Sequence, residues 1–208
     1  MKVLLINGSP RAKGCTYTAL CEVTKELEKE NIETEIFHIG SKPIRGCTAC
    51  GGCYSKSPSR CVFDDDPVNI ALEKAEQADG FVFGAPVHYA AASGGMTAFL
   101  DRLFYAGDCF KYKPGAAVVS CRRAGSTAAL DQLNKYFTIS CMPVVSSQYW
   151  NMVHGNTPEE VRKDIEGMQT MRQLGRNMAW LLKCIAVGKA AGVKDPEEEP
   201  RVWTNFIR

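Results

Sequence analysis

Apolar positions along the chain alternate between two periods. Val3-Leu-Leu-Ile6 is a short, wholly apolar run, as expected of a strand buried on both faces. It breaks at Asn7-Gly-Ser-Pro10, a cluster of turn formers, and a helical pattern follows from about Thr16 to Glu30. Glu33-Thr-Glu-Ile-Phe-His-Ile39 alternates like a second strand, and residues 40–66 show no clear periodicity. Pro67 suits the first turn of a helix whose apolar side carries Ile70, Leu72 and Ala75. Gly80-Phe-Val-Phe-Gly84 predicts a third strand, ending at Ala85-Pro86, and a small-residue loop leads to a helix from about Gly95 to Tyr105. Ala116 to Ser120 predicts the fourth strand, Leu130, Leu133 and Phe137 the next helix, and Met142 to Ser146 the fifth strand.

One long helix is expected from Thr157 to about Lys189. Thr157-Pro-Glu-Glu160 opens it with a capping residue, a proline and a carboxylate. Val161, Ile165, Met168, Met171, Leu174, Met178, Leu181, Leu182 and Ile185 form one apolar stripe, suited to a core or to subunit packing. Asp195-Pro-Glu-Glu-Glu-Pro200 cannot be regular, whereas Val202-Trp-Thr-Asn-Phe-Ile207 is too apolar for a free end. Residues 1–190 are therefore expected to form one α/β domain with a cysteine-rich insertion at 40–66. Residues 191–208 are expected to form a tail that packs on a neighbouring subunit. Strands alternating with helices predict a doubly wound, five-stranded parallel sheet with helices on both faces. In such sheets the ligand lies at the carboxyl ends of the strands, here under the loops after strands one, three and four.

The loop after the first strand has the chemistry of an anion site. Ser9, Arg11, Gly14, Cys15 and Thr16 bring hydroxyls, a positive charge and backbone N–H groups to a helix start. A dinucleotide fingerprint would need G-x-G-x-x-G, which Gly8-Ser-Pro-Arg-Ala-Lys-Gly14 lacks. A Walker loop has four residues between its glycines and a lysine after the second; here there are five, and Cys15 follows. No cysteine has arginine six positions later, which removes a Cys-x5-Arg phosphatase.

Composition adds exclusions. With 25 basic and 23 acidic residues the formal net charge is +2, so no basic footprint for nucleic acid exists. No stretch reaches the roughly 20 apolar residues of a membrane span, and the apolar start is too short for a signal-peptide core. A soluble, cytoplasmic protein is expected. There its ten cysteines are not expected to be structural disulfides. Scattered ones, such as Cys21, Cys109, Cys141 and Cys184, read as small hydrophobes.

Three segments together resemble the NAD(P)H-dependent FMN reductases and flavodoxin-like oxidoreductases. They are Gly8 to Thr16, Gly84-Ala-Pro-Val-His-Tyr-Ala-Ala-Ala-Ser-Gly94 with the helix Met96 to Arg102, and Val119-Ser-Cys-Arg-Arg-Ala-Gly125. Ser146-Ser-Gln-Tyr-Trp-Asn151 extends the match over most of the chain. The resemblance implies a flavodoxin-like fold that binds FMN, with the phosphate at Ser9, Arg11, Cys15 and Thr16. Pro86, Val87, His88 and Tyr89 would lie along one ring edge. Cys121, Arg122, Arg123 and Gly125 would meet the N1–C2=O edge, where charge develops on reduction. Relatives often carry an aromatic where this chain has His88. That imidazole is either a proton donor to substrate or a packing group; no other catalytic side chain is singled out. Arg122 and Arg123 are either that charge or a solvated pair. Tyr149, Trp150 and Asn151 are expected to end strand five near the pocket. The implied reaction takes hydride from NAD(P)H and reduces a small acceptor: a quinone, a nitro or azo compound, or free flavin. A homodimer or homotetramer is expected.

The sharpest unabsorbed motif is Cys47-Thr-Ala-Cys50-Gly-Gly-Cys53, with Cys61 seven residues on. Such thiols suit a 4Fe–4S cluster, a four-thiolate zinc site, or free redox-active roles. Iron–sulfur flavoproteins, a branch of the same family, carry a compact cysteine run here. An electron carrier between that cluster and FMN is the second reading, and a non-enzymatic flavin or metal sensor a third. Asp64, Asp65 and Asp66 are expected to be a solvated, capping run.

Overall fold

The structure, a computed structural model, describes residues 1–55 and 59–204. At its centre lies β1 (Lys2–Asn7), every residue of which from Val3 onward is buried. It pairs in parallel with β2 (Glu33–His38) on one side and β3 (Gly80–His88) on the other. Next to β3 come β5 (Gly115–Cys121) and β6 (Met152–His154), giving the order β2-β1-β3-β5-β6. This is the doubly wound order of flavodoxin-like sheets. A sixth strand beyond the five expected, β4 (Ala91–Ala92), folds back antiparallel on the end of β3.

The period-2 geometry of β1 divides the core. Val3 and Leu5 pack against α1 (Cys15–Lys29) and α6 (Ile165–Ala190), with Leu20, Leu27, Met171 and Leu174. Leu4 and Ile6 face the other way, towards α2 (Val68–Glu76), α3 (Gly94–Ala106) and α4 (Ser126–Ile139), with Leu72, Phe99 and Leu133.

Two expectations are corrected. The fifth strand is not Met142 to Ser146. That segment makes only a bridge at Val144 to the start of β5, held by Gly115 N to Pro143 O (2.9 Å) and Val145 N to Gly115 O (2.8 Å). The chain then leaves the sheet and returns as Met152–His154 beside Val119–Cys121. Tyr149 and Trp150, more than half exposed, sit in the excursion. The long helix is likewise two. Thr157 caps α5 (Pro158–Lys163), and Asp164 ends it and starts α6. One Asp164 oxygen accepts the Gly167 N–H (3.0 Å) and the other the His154 N–H (2.7 Å), a cap tied to the sheet that periodicity cannot show. Ile165, placed in the apolar stripe, is 77% exposed as a result.

Where α6 crosses α1, a Cβ on Gly175 would stand 2.8 Å from Val23 O and from the Glu26 Cβ, so only glycine allows the approach. Glu26, its side chain 5% exposed, accepts from Lys29 (2.5 Å) and from Arg176 of α6 (2.8 Å). The Lys29 bond, with the Arg176 bond, outweighs burial and holds the carboxyl below its ordinary range. Glu26→Gln is expected to cost about 1 kcal/mol, or roughly 2–4 °C in Tm. A depressed folded pKa stabilises above the unfolded carboxylate value of about 4.3 and loses its effect as pH falls through the folded one. The difference between the two proteins, measured by thermal melts, should therefore be full at neutral pH and shrink in acid.

Residues 195–204 have no regular structure, and Val202 and Trp203 are exposed. Residues 205–207, the end of the apolar tail segment, lie outside the described residues. Among the described residues, no helix is long and apolar enough to cross a membrane.

Candidate functional site

At the carboxyl ends of β1, β3 and β5 the loops leave a pocket of about 410 Å³, lined by Ser9, Arg11, Thr16, Val87, His88 and Arg122 among others. That size falls within the ordinary range for small-molecule sites. Its walls carry two arginines and a histidine; among the described residues, no carboxylate lines it.

The loop from Gly8 to Gly14 is held by its carbonyls. Ser93 Oγ donates to Gly8 O (3.0 Å), His38 Nε2 to Ser9 O (2.7 Å), Gly14 N to Arg11 O (3.3 Å) and Asn7 Nδ2 to Ala12 O (3.0 Å). Gly14 starts α1 with no side chain capping it, so the N–H groups of the first turn stay available to an outside acceptor. The positive end of the helix dipole lies at the same place. Thr16, fully buried, shares a 2.8 Å hydrogen bond with Ser120 and ties the start of α1 to the end of β5, across β3 from β1. Cys15 donates to Gly155 O (3.6 Å). Burial pushes the thiols of both Cys15 and Cys121 up, which keeps negative charge off the pocket floor.

The opposite wall depends on two loops in contact. Between β3 and β4, Tyr89 and Ala90 both have positive φ (49° and 59°), the two-residue turn whose twist suits a hairpin. Against it lies Gly125, at the start of α4, with φ +86°; a Cβ there would stand 2.7 Å from the Ala90 Cα. Neither the conformation nor the approach admits a side chain.

Nine of the residues singled out in the sequence line this pocket: Ser9, Arg11, Cys15, Thr16, Pro86, Val87, His88, Cys121 and Arg122. Gly14 and Gly125 shape its loops instead. Tyr89 is fully exposed at the hairpin tip, and Arg123 is exposed; neither is among the lining residues, nor are Tyr149, Trp150 and Asn151. Sequence reasoning did not single out Pro10, Ser120, Gly155 or Asn156 as site residues. The last two follow β6, and placing strand five ten residues early hid them. The turn formers Gly155-Asn156 before the Thr157 cap were the available signal.

A second, smaller cavity lies beside α3. Cys47, Cys50, Cys53 and Cys61 all line it, with Val62, Phe63, Arg102 and Tyr105. Cys53 and Cys61 are buried, and Cys47 and Cys50 lie at the exposed rim. The backbone N–H of Gly52 lowers the Cys50 thiol pKa. Among the described residues, no three such side chains are drawn together closely enough to hold one metal ion. Arg102 is 1% exposed. Its Nε donates to Cys61 Sγ (3.2 Å), Nη2 to Phe63 O (2.9 Å) and Nη1 to Arg45 O (3.2 Å), and Nη1 also pairs with Asp66. Burial opposes the charge, but the bonds to Asp66 and Cys61 prevail and its pKa is raised. Asp66 is thus not solvated: its side chain is 6% exposed, although it does cap, accepting the Val68 N–H (3.2 Å). Asp64 accepts from Asn69 (3.0 Å).

Order of strands, helices on both faces and a basic pocket at the switch point define a doubly wound, flavodoxin-like α/β protein. The profile described as NADPH-dependent FMN reductase matches residues 1–157. The chain belongs to that family of oxidoreductases. It is 31% identical over 194 residues to an iron-sulfur flavoprotein of Methanocaldococcus jannaschii, covering 89% of this chain and 99% of that one. It is 32% identical over 116 residues to an FMN-dependent NADPH-azoreductase of Staphylococcus aureus, covering 55% of this chain and 57% of that protein. An archaeal flavodoxin superposes with a TM-score of 0.59 at 16% identity, over 88% of this chain and 99% of its own, a likeness of fold.

Proposed function

We propose that the pocket at the strand ends holds FMN, and that the protein uses NADPH to reduce a small acceptor there. The observation that carries this reading is a pocket with two arginines, no carboxylate and an uncapped helix start on one wall. Ser9, Arg11 and the first-turn N–H groups of α1 match the donor set a phosphate needs. Pro86, Val87 and His88, at the carboxyl end of β3, line the wall along which the ring would lie; Arg122 faces the side where reduction adds negative charge. When bound, FMN supplies the redox chemistry, accepting hydride from NADPH and passing electrons on. The chain's own work is to bind and orient the group, to keep two thiols neutral around it, and to leave the mouth open. Quinones, nitro or azo compounds and free flavin fit such a site, and the azoreductase relatives support the azo class.

The anaerobically purified protein tests this directly. Flavin absorbance that bleaches with NADPH is expected. A colourless protein that cannot be reconstituted with FMN would sink the reading.

A second reading is favoured by the four cysteines around one cavity and by the iron-sulfur flavoprotein relatives. In it, Cys47, Cys50, Cys53 and Cys61 hold a 4Fe–4S cluster that exchanges electrons with the flavin. The donor set, four thiols with apolar walls from Val62, Phe63 and Ala106, suits such a cluster. One helix joins the two places: Gly94 and Gly95 line a cavity that shares Pro10 and His88 with the pocket, and Arg102 lies about 12 Å further along α3. Iron and acid-labile sulfide in stoichiometric amounts would support this reading; their absence from anaerobic preparations would remove it.

A further inference from the structure

We infer that Arg102 is a positioning residue that sets the reduction potential of the cysteine site through its hydrogen bond to Cys61. The inference rests on the reading of that site as a 4Fe–4S site, and on what surrounds this arginine. A buried guanidinium needs acceptors for all its donors. Here each side of the fork has a different one: Asp66 and Arg45 O for Nη1, Phe63 O for Nη2, and the Cys61 sulfur for Nε. Phe63 stacks on the group, its ring centre 5.5 Å from the guanidinium carbon. Arg102 also stands on the buried face of α3, three residues after Phe99, where packing alone would select an apolar side chain.

The net charge of the Arg102–Asp66 pair is zero, so its effect on the sulfur is directional. The carboxylate engages one end of the guanidinium, while the Nε–H dipole points at Cys61. Hydrogen bonds to cysteine sulfurs are among the determinants of cluster potential. Adding one electron to a cluster raises the negative charge on its sulfurs and makes or breaks no bond. A donor aimed at one of them therefore stabilises the reduced state more than the oxidised one, and more strongly in a desolvated site. Arg102 should make the cluster easier to reduce.

The test uses the whole protein in two variants. Arg102→Leu combined with Asp66→Asn removes the donor without leaving a lone buried carboxylate. Arg102→Lys keeps a positive charge for Asp66 but replaces the planar fork with one nitrogen that cannot serve every acceptor. Iron content, thermal melts and the midpoint potential would be measured, the last by dithionite titration monitored by electron paramagnetic resonance. We expect both variants to keep iron and to titrate at a more negative potential than the parent, the double variant more so. If the double variant does not fold, Arg102→Lys carries the test. A cluster at the parental potential would overturn the inference while leaving the cluster reading intact. Folded variants without iron would also overturn it, since Arg102 would then serve retention rather than potential. A parent protein without iron or sulfide would overturn the cluster reading and the inference with it.

Discussion

Arg102→Leu alone is expected to destabilise the protein by about 3–5 kcal/mol, the usual cost of breaking a buried ion pair by removing one partner. For a chain of this size that corresponds to roughly 6–20 °C in Tm, at about 2–4 °C per kcal/mol. The reason lies in what leucine would leave behind. Among the described residues, Asp66, its side chain 6% exposed, would keep the Val68 N–H (3.2 Å) as its one remaining partner. The Phe63 and Arg45 carbonyls would lose their guanidinium donors. Adding Asp66→Asn should recover a large part of the loss, because the unpaired charge is then gone while the cap survives. Urea titrations of the single and double variants measure this coupling. Additive effects of the two substitutions would show that the pair is not desolvated together. The prediction concerns the fold alone and holds with or without a cluster.

Arg11→Ala should act oppositely, sparing the fold and weakening the ligand. The Arg11 side chain is exposed at the pocket, and its structural contributions are backbone bonds, its N–H to Ser9 Oγ (3.1 Å) and its carbonyl from Gly14 N (3.3 Å), both of which alanine retains. A charge-assisted bond to phosphate contributes about 1.5–3 kcal/mol, so the Kd for FMN should rise roughly 10- to 100-fold. The Tm without FMN should stay within about 1 °C, as for a surface substitution. Higher salt should narrow the difference, because it screens an exposed charge. Fluorescence titration of apoprotein with FMN decides the matter. An unchanged affinity would refute the placement of the phosphate at this loop.

The parts legible in advance share one property: their signal is local. The buried strands at Val3–Ile6, Gly80–Gly84 and Ala116–Ser120 show as continuous apolar runs because both faces are covered. The anion loop shows as turn formers with hydroxyls and an arginine beside a helix start. Nine expected residues therefore converge on one pocket. What failed depended on partners distant in sequence. Met142 to Ser146 has a strand's composition, but its edge of the sheet is taken up again only at Met152–His154. Asp164 interrupts a nearly continuous helical stripe because His154 and Gly167 both donate to it. Asp66 reads as one of three solvated carboxylates until Arg102, thirty-six residues away, is brought against it.

By itself the sequence determined the alternation of strands and helices, the phosphate-like chemistry of Ser9 to Thr16, and the spacing of four cysteines, since each follows from neighbours along the chain. Only the tertiary structure decided which of Arg122 and Arg123 lines the pocket and that Gly155 and Asn156 line it too. It also decided that the cysteines share a cavity with a buried arginine. These are relations across the sheet and along α3, made by strand order and burial, and no local period encodes them.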